Sequence, residues 1–316
     1  MARIVRPLTP DGIRTYPLRS RPSKVGLADF ARPLAPGASV AEFFESLPGF
    51  LAAADFRAFV AACRAGRDRG KPLVWGMGAH VIKVGLSPII LDLMREGWVS
   101  GLALNGAGII HDFEIAFAGR TSEDVEARIR DGRFGMAKET GELLNVAIRS
   151  GAAAGLGLGE SVGRMIAGSK FPHRDSSLLG TAARLKIPVT VHVAIGTDII
   201  HVHPQASGEA IGQASLRDFF RLAGLVKEMN GGGVYLNVGS AVLLPEVFLK
   251  AVSLVRNKGH KLDGFSTAVF DFMRHYRPSE NVTKRPLGKK GKGYYFVGPH
   301  EILIPLLAAA LKESKS

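Results

Sequence analysis

The sequence contains a single cysteine, Cys63, in 316 residues. One thiol cannot form a disulfide within the chain and cannot build a cysteine-based zinc site. Cys63 lies in a segment with helical periodicity, where we expect a buried, inert thiol. An internally disulfide-stabilised fold and a thiolate metal centre are therefore excluded.

The sequence also lacks an uninterrupted apolar run long enough to cross a membrane. Its basic N-terminal segment has neither the apolar stretch nor the cleavage site of a secretory signal. We therefore expect a cytoplasmic protein, with an extended basic arm at residues 1–30 and a single α/β domain at 31–316.

The sequence has fewer acidic than basic residues, with 28 Asp and Glu and 41 Lys and Arg, which gives a net charge of +13. Such a balance occurs in proteins that bind nucleic acid or anionic ligands. The basic residues are scattered, however, with local enrichment only in the arm and at 284–293, and no nucleic-acid-binding motif occurs. We expect a basic surface, of which a phosphate-bearing cofactor would use a small part, and no nucleic-acid partner.

Six apolar segments, most of them bounded by glycine, alternate with amphipathic segments from residue 71 onward. The helical pattern begins earlier, at Ser39, where Glu42 completes a capping box, and we expect this helix to end near Gly66. A long helical region is expected after the strand SGLALNGAG (100–108), through EDVEARIR (123–130) and on to about 148. The alternation predicts an α/β fold of the doubly wound, mostly parallel, Rossmann-like kind, with ligands beyond the carboxyl ends of the strands.

Four strand ends place glycine beside polar residues: WGMGAHVIKVG (75–85), LNGAGIIHDFE (104–114), VAIGTDIIHVHP (193–204) and NGGGVYLNVGSA (230–241). Backbone N–H groups at such positions can hold phosphates, next to side chains that can bind ribose or substrate. A further glycine-rich segment, GLGLGES (155–161), follows a helical pattern instead of a strand. We expect a flexible connection there and no dinucleotide-binding loop.

These segments, in their order, resemble the deoxyhypusine synthase family from about Lys71 to the end. NGAGIIHD is similar to the family's TTAGGVEED, GGGVYLNV to its GGGVxKHH, and the STA at 266–268 to its NTA. RPSENVTKRP…IPLLAAA is similar to RPDEAVSWGK…FPLLVA, and the spacing from Arg277 to Pro305 is that of the family. The resemblance implies an NAD-binding fold, a transferase that acts on a polyamine-type amine, and a homotetramer with sites shared across dimer interfaces.

The resemblance also assigns roles to individual residues. It implies NAD as cofactor, bound by ten residues: His80, Gly106, Ala107, Gly108, Asp112, Gly231, Gly232, Gly233, Thr267 and Ala268. It assigns Glu280 to the substrate amine and places Asn237 where the family has a histidine near the reacting amine. Asp198 matches one of two family aspartates.

One departure concerns the lysine that forms an imine with the substrate in the family. That position is Pro286 here, and Lys284, two residues earlier, is the candidate replacement as a nucleophile. Lys289, Lys290 and Lys292 follow in the same segment. The alternative for each of these lysines is a solvated loop charge, which the sequence favours.

Histidines offer further candidates. His111 or His201 could act as a general base, and His201 could bind the substrate. Asp198, His201, His203 and His111 could instead form a metal site of a hydrolase or lyase, since His201 and His203 would share one face of an extended segment. A non-catalytic relative that binds NAD or a polyamine is a third possibility. We expect an NAD-dependent transferase or oxidoreductase without a metal.

Overall fold

The computed structural model describes residues 5–313, in which thirteen α-helices surround one six-stranded sheet. The strands are β1 (Leu73–Met77), β2 (Gly101–Asn105), β3 (Val189–His192), β4 (Val234–Val238), β5 (Ser266–Asp271) and β6 (Lys292–Val297). The helices are α1 (Val40–Ser46), α2 (Leu51–Asp68), α3 (His80–Lys83), α4 (Ser87–Arg95), α5 (Gly106–Ala118), α6 (Val125–Ile129), α7 (Lys138–Ala153), α8 (Leu158–Gly168), α9 (Leu178–Leu185), α10 (Gly208–Glu228), α11 (Leu243–Asn257), α12 (Tyr276–Asn281) and α13 (His300–Lys312).

The strand order is β3-β2-β1-β4-β5-β6, and every pair of neighbours is parallel. From β1, the strands β2 and β3 follow one another toward one edge of the sheet. The chain then crosses back, and β4 lies on the other side of β1. The order therefore reverses between β1 and β4, which is where ligands bind in doubly wound sheets. The predicted fold class is confirmed.

Each face of the sheet is covered by its own apolar layer. The larger layer contains Trp75 and Met77 of β1 and packs against α2, α5, α8, α9 and α13. The smaller layer contains Tyr235 of β4, whose ring stacks on Phe248 of α11 with the centroids 3.8 Å apart. Because both faces are covered, a small molecule can reach the strands only at their ends.

Local signals place the first helix correctly, but not its length. The Ser39 side chain accepts a hydrogen bond from the Glu42 N–H, and the Glu42 carboxylate accepts one from the Ser39 N–H, as the capping box predicts. The helix then breaks at Pro48–Gly49, and α2 continues past Gly66 to Asp68. Proline lacks the N–H that a continuous helix requires, so the expected single helix is two.

Two other glycine-rich segments differ from expectation. The helical region expected after residue 108 and on to about 148 is interrupted after α5 and again between α6 and α7, where Gly132 and Gly135 have positive φ angles of 72° and 79°. Side chains disfavour that backbone conformation, whereas glycine adopts it freely. In GLGLGES, residues 155–157 connect α7 to α8 as expected, but the rest of the segment is the first turn of α8, with Gly157 as the N-cap.

Of the expected arm, residues 5–30 contain two short 3₁₀ turns, Leu18–Ser20 and Leu27–Asp29, and no buried side chain. Residues 1–4 of the arm and 314–316 of the expected domain lie outside the described residues. Within the described part of the chain, no helix combines the length and apolar character needed to cross a membrane.

Asp218 of α10 links α10 to α8 and β3. Its carboxylate accepts hydrogen bonds from the N–H groups of Gly159, in the first turn of α8, and Val191, in β3, at 2.9 and 2.8 Å. Burial raises the pKa of Asp218 to about 7, although the hydrogen bonds from these N–H groups act in the opposite direction.

We expect the stability contribution of Asp218 to depend on pH. Since the unfolded pKa is about 3.9, the folded state binds a proton more readily, so the contribution is complete below about pH 4 and is lost as pH rises through 7. The free energy of unfolding of wild type should therefore fall relative to that of Asp218→Asn between pH 5 and 8. Urea titrations across this range measure the difference, and a constant difference would contradict the prediction.

Candidate functional site

The candidate site lies at the carboxyl ends of the strands, where the exits of β1 and β4 touch. The Gly78 N–H donates to the Val238 carbonyl at 2.9 Å. A Cβ atom on Gly78 would overlap the carbonyl oxygen of Gly239. The two strand exits are therefore in direct backbone contact, and only glycine at 78 permits it.

His300, at the start of α13, lies beside this contact. Its Nε2 atom lies 3.1 Å from the Phe270 carbonyl oxygen, which can only accept, so Nε2 carries the ring proton. The Nδ1 atom is therefore an acceptor, and it is buried with no hydrogen-bond partner within residues 5–313. Gly239, with a φ of 63°, leaves room for the ring, because a Cβ there would lie 2.7 Å from His300 Cε1.

His80 begins α3 and is exposed, with its ring centroid 5.4 Å from that of His300. The structure therefore places His80 at the strand exit, as predicted. His300 is absent from the residues predicted for the site. The sequence does contain a pattern that could have identified His300, because the sixth apolar segment, YYFVGPH, ends in Gly-Pro-His.

Asn237, the fourth residue of β4, is fully buried at the same end of the sheet. Its Nδ2 atom donates to the Ser240 carbonyl at 2.9 Å. Its Oδ1 atom is buried and has no partner in the described part of the chain. The exits of β4 and β6 thus each contribute one buried acceptor that lacks a donor among the described residues, Asn237 Oδ1 and His300 Nδ1.

Gly106, Ala107 and Gly108 form the first turn of α5 at the exit of β2, as predicted. The Gly108 N–H, however, donates to Oδ1 of Asn105, the N-cap, at 3.1 Å. A Cβ on Gly106 would overlap Asp198 Oδ2, so the Asp198 carboxylate occupies the start of the helix. A phosphate could bind there only by displacing an acidic side chain.

Asp198 and His201 form a buried pair over the start of α5. Their side chains are 5% and 4% exposed, and His201 Nε2 lies 3.8 Å from Asp198 Oδ2. His201 Nδ1 accepts the N–H groups of Gly196 and Asp198, so the ring proton is on Nε2. Neither His201 Nε2 nor Asp198 Oδ2 has a hydrogen-bond partner among residues 5–313. Burial raises the pKa of Asp198, and the nearby His201 opposes this effect.

His111, on the next turn of α5, contacts a chain of hydroxyl and carboxyl groups. Its Nδ1 lies 2.6 Å from Thr121 Oγ1, and the Thr121 hydroxyl donates to Glu114 Oε2 at 2.5 Å. The Thr140 hydroxyl donates to the other carboxylate oxygen, Oε1, at 3.1 Å. Burial and the positive charge of Lys83 lower the pKa of His111 to about 4. Sequence reasoning missed Thr121 and Thr140, which lie in a loop and in α7 without a motif.

Asp112 lies on a different face of α5 and is fully buried. Its carboxylate accepts the N–H groups of Leu178 and Leu179 and the Ser177 hydroxyl, and so caps α9. Burial raises the pKa of Asp112 to about 6 despite these hydrogen bonds. The structure places this side chain inside the protein, where it cannot reach a ribose as the resemblance implies.

Five predicted cofactor-binding residues lie away from the strand exits. Gly231, Gly232 and Gly233 precede β4 instead of following it, and Gly231 N–H donates to Asp263 O on the amino side of the sheet. Thr267 and Ala268 are the second and third residues of β5, fully buried. The Thr267 hydroxyl donates to Val282 O. These five residues therefore do not converge with His80 and Gly106.

Lys284 and Glu280 pair with each other at the surface. The Nζ–Oε1 distance is 2.6 Å, and the lysine side chain is 65% exposed. The hydrogen bond from Lys284 is the main cause of a lowered pKa at Glu280. The adjacent Thr283 carbonyl packs against Gly293, the second residue of β6, so this segment lies toward the amino end of the sheet. The structure does not bring Lys284 or Glu280 to the strand exits.

The predicted alternative metal site lacks its ligand set. His203 Nε2 contacts the Gly135 carbonyl at 3.0 Å, and its ring packs where a Cβ of Gly141 would lie. His111 Nδ1 contacts Thr121. Across residues 5–313, no group of three or more His, Cys, Asp or Glu side chains is arranged to hold a metal ion.

A groove of about 460 Å³ lies elsewhere, between α1, α2 and the end of α13, and is lined by Phe44, Phe56, Val60 and Arg64 among others. Arg64 donates to the Ala310 and Glu313 carbonyls in this groove. It contains none of the strand-exit residues. The groove is therefore separate from the polar residues at the strand exits.

No protein-family model matches the chain, and no curated protein matches its sequence. Solved structures match its fold. ArgZ, an arginine dihydrolase from the ornithine–ammonia cycle in cyanobacteria, aligns with a TM-score of 0.52 at 17% identity over 83% of this chain and 33% of its own. AgrE, in a ternary complex with ornithine and NAD⁺, aligns with a TM-score of 0.54 at 18% identity over 81% of this chain and 32% of its own.

A protein from Entamoeba histolytica, provisionally assigned as a deoxyhypusine synthase, aligns with a TM-score of 0.51 at 8% identity. That alignment covers 89% of this chain and 95% of the other. The chain therefore spans about a third of ArgZ and AgrE, but nearly all of the E. histolytica protein. At these identities the similarity shows a common fold.

Proposed function

We propose that the chain is an NAD-dependent enzyme that removes hydride from an amine-bearing carbon of a cationic substrate, either an amino acid or a polyamine. The observation that carries the proposal is the contact between the exits of β1 and β4, where the order of the strands reverses. Doubly wound sheets form their ligand crevice at this point. Dinucleotides bind at this reversal of strand order in doubly wound sheets. The fold neighbour AgrE forms a complex with NAD⁺ and ornithine, and the sequence resemblance to deoxyhypusine synthases implies NAD independently.

Two observations support the fit of NAD to this crevice. Asn237 Oδ1 and His300 Nδ1 are buried acceptors that receive no hydrogen bond from residues 5–313, which is costly unless a ligand or water supplies an N–H or O–H. The carboxamide and the adenine amine of NAD carry such donors. Bound NAD would supply the hydride acceptor, while His300, Asn237 and the Gly78–Gly239 contact would orient it.

We propose that the pyrophosphate of NAD would not bind at the first turn of α5. The Asp198 carboxylate would repel a phosphate there, and its unpartnered Oδ2 is suited to a substrate ammonium. His201, whose Nε2–H faces the same space, would donate to a substrate oxygen or nitrogen. The substrate would therefore lie beside α5, with the cofactor in the neighbouring crevice.

We further propose that Lys284 does not form an imine with the substrate. The Lys284 ammonium is bound to Glu280 at the surface, and an exposed, charged amine is a poor nucleophile. Transfer of an aminobutyl group to a protein lysine is therefore not part of this proposal. The expected product is a free imine or carbonyl compound.

Purified protein titrated with NAD tests the cofactor. A concentration one hundred times the Kd should stabilise the fold by about 2.7 kcal/mol, visible as a rise in Tm. His300→Asn should remove that rise, measured against its own Tm without NAD, and Lys284→Ala should show the same rise as wild type. No rise at millimolar NAD would refute the proposal.

Turnover is tested separately, by following NADH formation with ornithine, arginine and spermidine. We expect NADH with at least one of them, unaltered by Lys284→Ala or Glu280→Gln. NAD binding without turnover on any amine would favour the non-catalytic alternative. Light scattering on the same sample tests the homotetramer that the resemblance implies.

A further inference from the structure

We propose that His111 is the proton acceptor of this site, with Thr121 and Glu114 as positioning residues that hold its ring in the tautomer able to accept a proton. This inference rests on the proposed function for the reaction itself. Three side chains, those of His111, Thr121 and Glu114, are joined by hydrogen bonds, and we call them the relay.

The direction of the hydrogen bonds follows from the number of protons available. A threonine hydroxyl has one proton, and Thr121 donates it to Glu114 Oε2 at 2.5 Å. The contact of 2.6 Å between Thr121 Oγ1 and His111 Nδ1 can then be a hydrogen bond only if Nδ1 carries a proton. A neutral ring protonated on Nδ1 has its lone pair on Nε2. The relay therefore leaves Nε2 as the basic atom.

The second carboxylate oxygen of Glu114 is also held in place. Thr140, in the first turn of α7, donates its hydroxyl to Oε1 at 3.1 Å. The carboxylate therefore cannot turn away from Thr121 without losing a second hydrogen bond. Three elements, α5, α7 and the loop between α5 and α6, fix the orientation of one imidazole ring.

The Nε2 atom is accessible. His111 is half-buried. Its Nε2 atom forms no hydrogen bond within residues 5–313 and is not fully enclosed by the protein. Ala107, His111 and Glu114 occur at i, i+4 and i+7 and so lie on one face of α5. His111 is about 6 Å along the helix from Ala107, whose N–H interacts with the Asp198 carboxylate. A substrate held at Asp198 would therefore extend toward His111.

The surrounding charges suit a neutral base. Burial and Lys83 of α3 lower the pKa of His111 to about 4, so the ring is neutral at pH 7. The groups around it are Lys83 from α3, Glu114 from its own helix, and the uncharged Thr121 and Thr140. Once Nε2 accepts a proton, the charge on the ring can be balanced by Glu114 through the Thr121 hydroxyl.

The reaction balances with the NAD of the proposed function as oxidant. The substrate carbon loses a hydride, with its electron pair, to the cofactor. The substrate nitrogen or oxygen loses a proton to His111 Nε2, and a C=N or C=O bond forms. The proton then passes from Nε2 to solvent, which restores the neutral ring.

The tautomer can be measured without turnover. Protein with ¹⁵N- and ¹³C-labelled histidine, assigned with His111→Gln, should show His111 protonated on Nδ1 at pH 7. Thr121→Val removes the bridging hydroxyl and should yield a mixture of tautomers, as should Glu114→Gln in part. Thr283→Val, which removes a hydroxyl that donates to Ser279 O, is the matched control and should leave the His111 signals unchanged.

Kinetics with the amine that gives NADH supply a second measurement. His111→Gln should lower kcat by about 10²-fold or more, and Thr121→Val should lower kcat with KM nearly unchanged. An Nε2-protonated ring in wild type, or an unaltered kcat in Thr121→Val, would overturn the inference. A correct tautomer in a protein that does not bind NAD would instead overturn the proposed function and leave the positioning of His111 intact.

Discussion

Replacement of Asp112 by alanine is expected to lower the free energy of unfolding by about 3–5 kcal/mol. The carboxylate is fully buried and accepts two N–H groups at the start of α9 and the Ser177 hydroxyl. Alanine would leave these donors buried without acceptors, at a cost of about 1–3 kcal/mol for each one that water cannot reach. Urea denaturation at pH 7 measures the loss.

Asp175→Ala is the matched control for Asp112→Ala. Asp175 precedes the same helix, but its side chain is 81% exposed and pairs with Arg184 at the surface, so we expect a change below about 1 kcal/mol. If Asp112 bound the ribose of NAD, its alanine variant would instead keep its stability and lose affinity for the cofactor. An Asp112→Ala protein as stable as wild type would therefore contradict the structural assignment.

Gly78→Ala is expected to abolish NAD binding and to lower the free energy of unfolding by about 2–3 kcal/mol. A Cβ atom at this position would overlap the carbonyl oxygen of Gly239, which belongs to the backbone of the neighbouring strand exit. No side-chain rotation can relieve that overlap, so β1 and β4 must move apart at the crevice. Thermal shift with NAD and urea denaturation measure the two effects.

Gly212→Ala provides the control for a glycine replacement. Gly212 lies within α10, and a Cβ atom there would meet open space. Alanine in a helix interior is favoured over glycine by about 0.5–1 kcal/mol, so this variant should be slightly more stable and bind NAD normally. A Gly78→Ala protein that keeps the thermal shift with NAD would remove the crevice from the proposed site.

Much of the fold follows from local patterns. The six apolar segments are six strands, and the amphipathic segments between them are helices, because burial of both faces of a parallel sheet imposes these patterns on the chain. The capping box at Ser39 forms as predicted because its two hydrogen bonds join residues three apart. Local pattern also places His80, Gly106 and Asp198 at strand exits, because each of them follows an apolar segment of the sequence.

Motif similarity predicts the positions of individual site residues less accurately than local patterns predict strands and helices. A five-residue strand is about 16 Å long, so a match displaced by a few residues moves a side chain from one end of the sheet to the other. The similarity aligns residues 231–233 with a glycine-rich strand exit, but they precede β4, and the exit of that strand is at Gly239. Thr267 lies inside β5 for the same reason.

The sequence by itself determined the class of fold, the number of strands and the ends of strands at which polar residues gather. These properties depend on short-range periodicity, which a single chain reveals. Only the tertiary structure decided which of the candidates meet. It turned Asp112 inward to cap α9, paired Lys284 with Glu280 at the surface, and joined His111 to Thr121 and Glu114. Those contacts depend on how helices pack across the sheet, and no spacing along the chain encodes them.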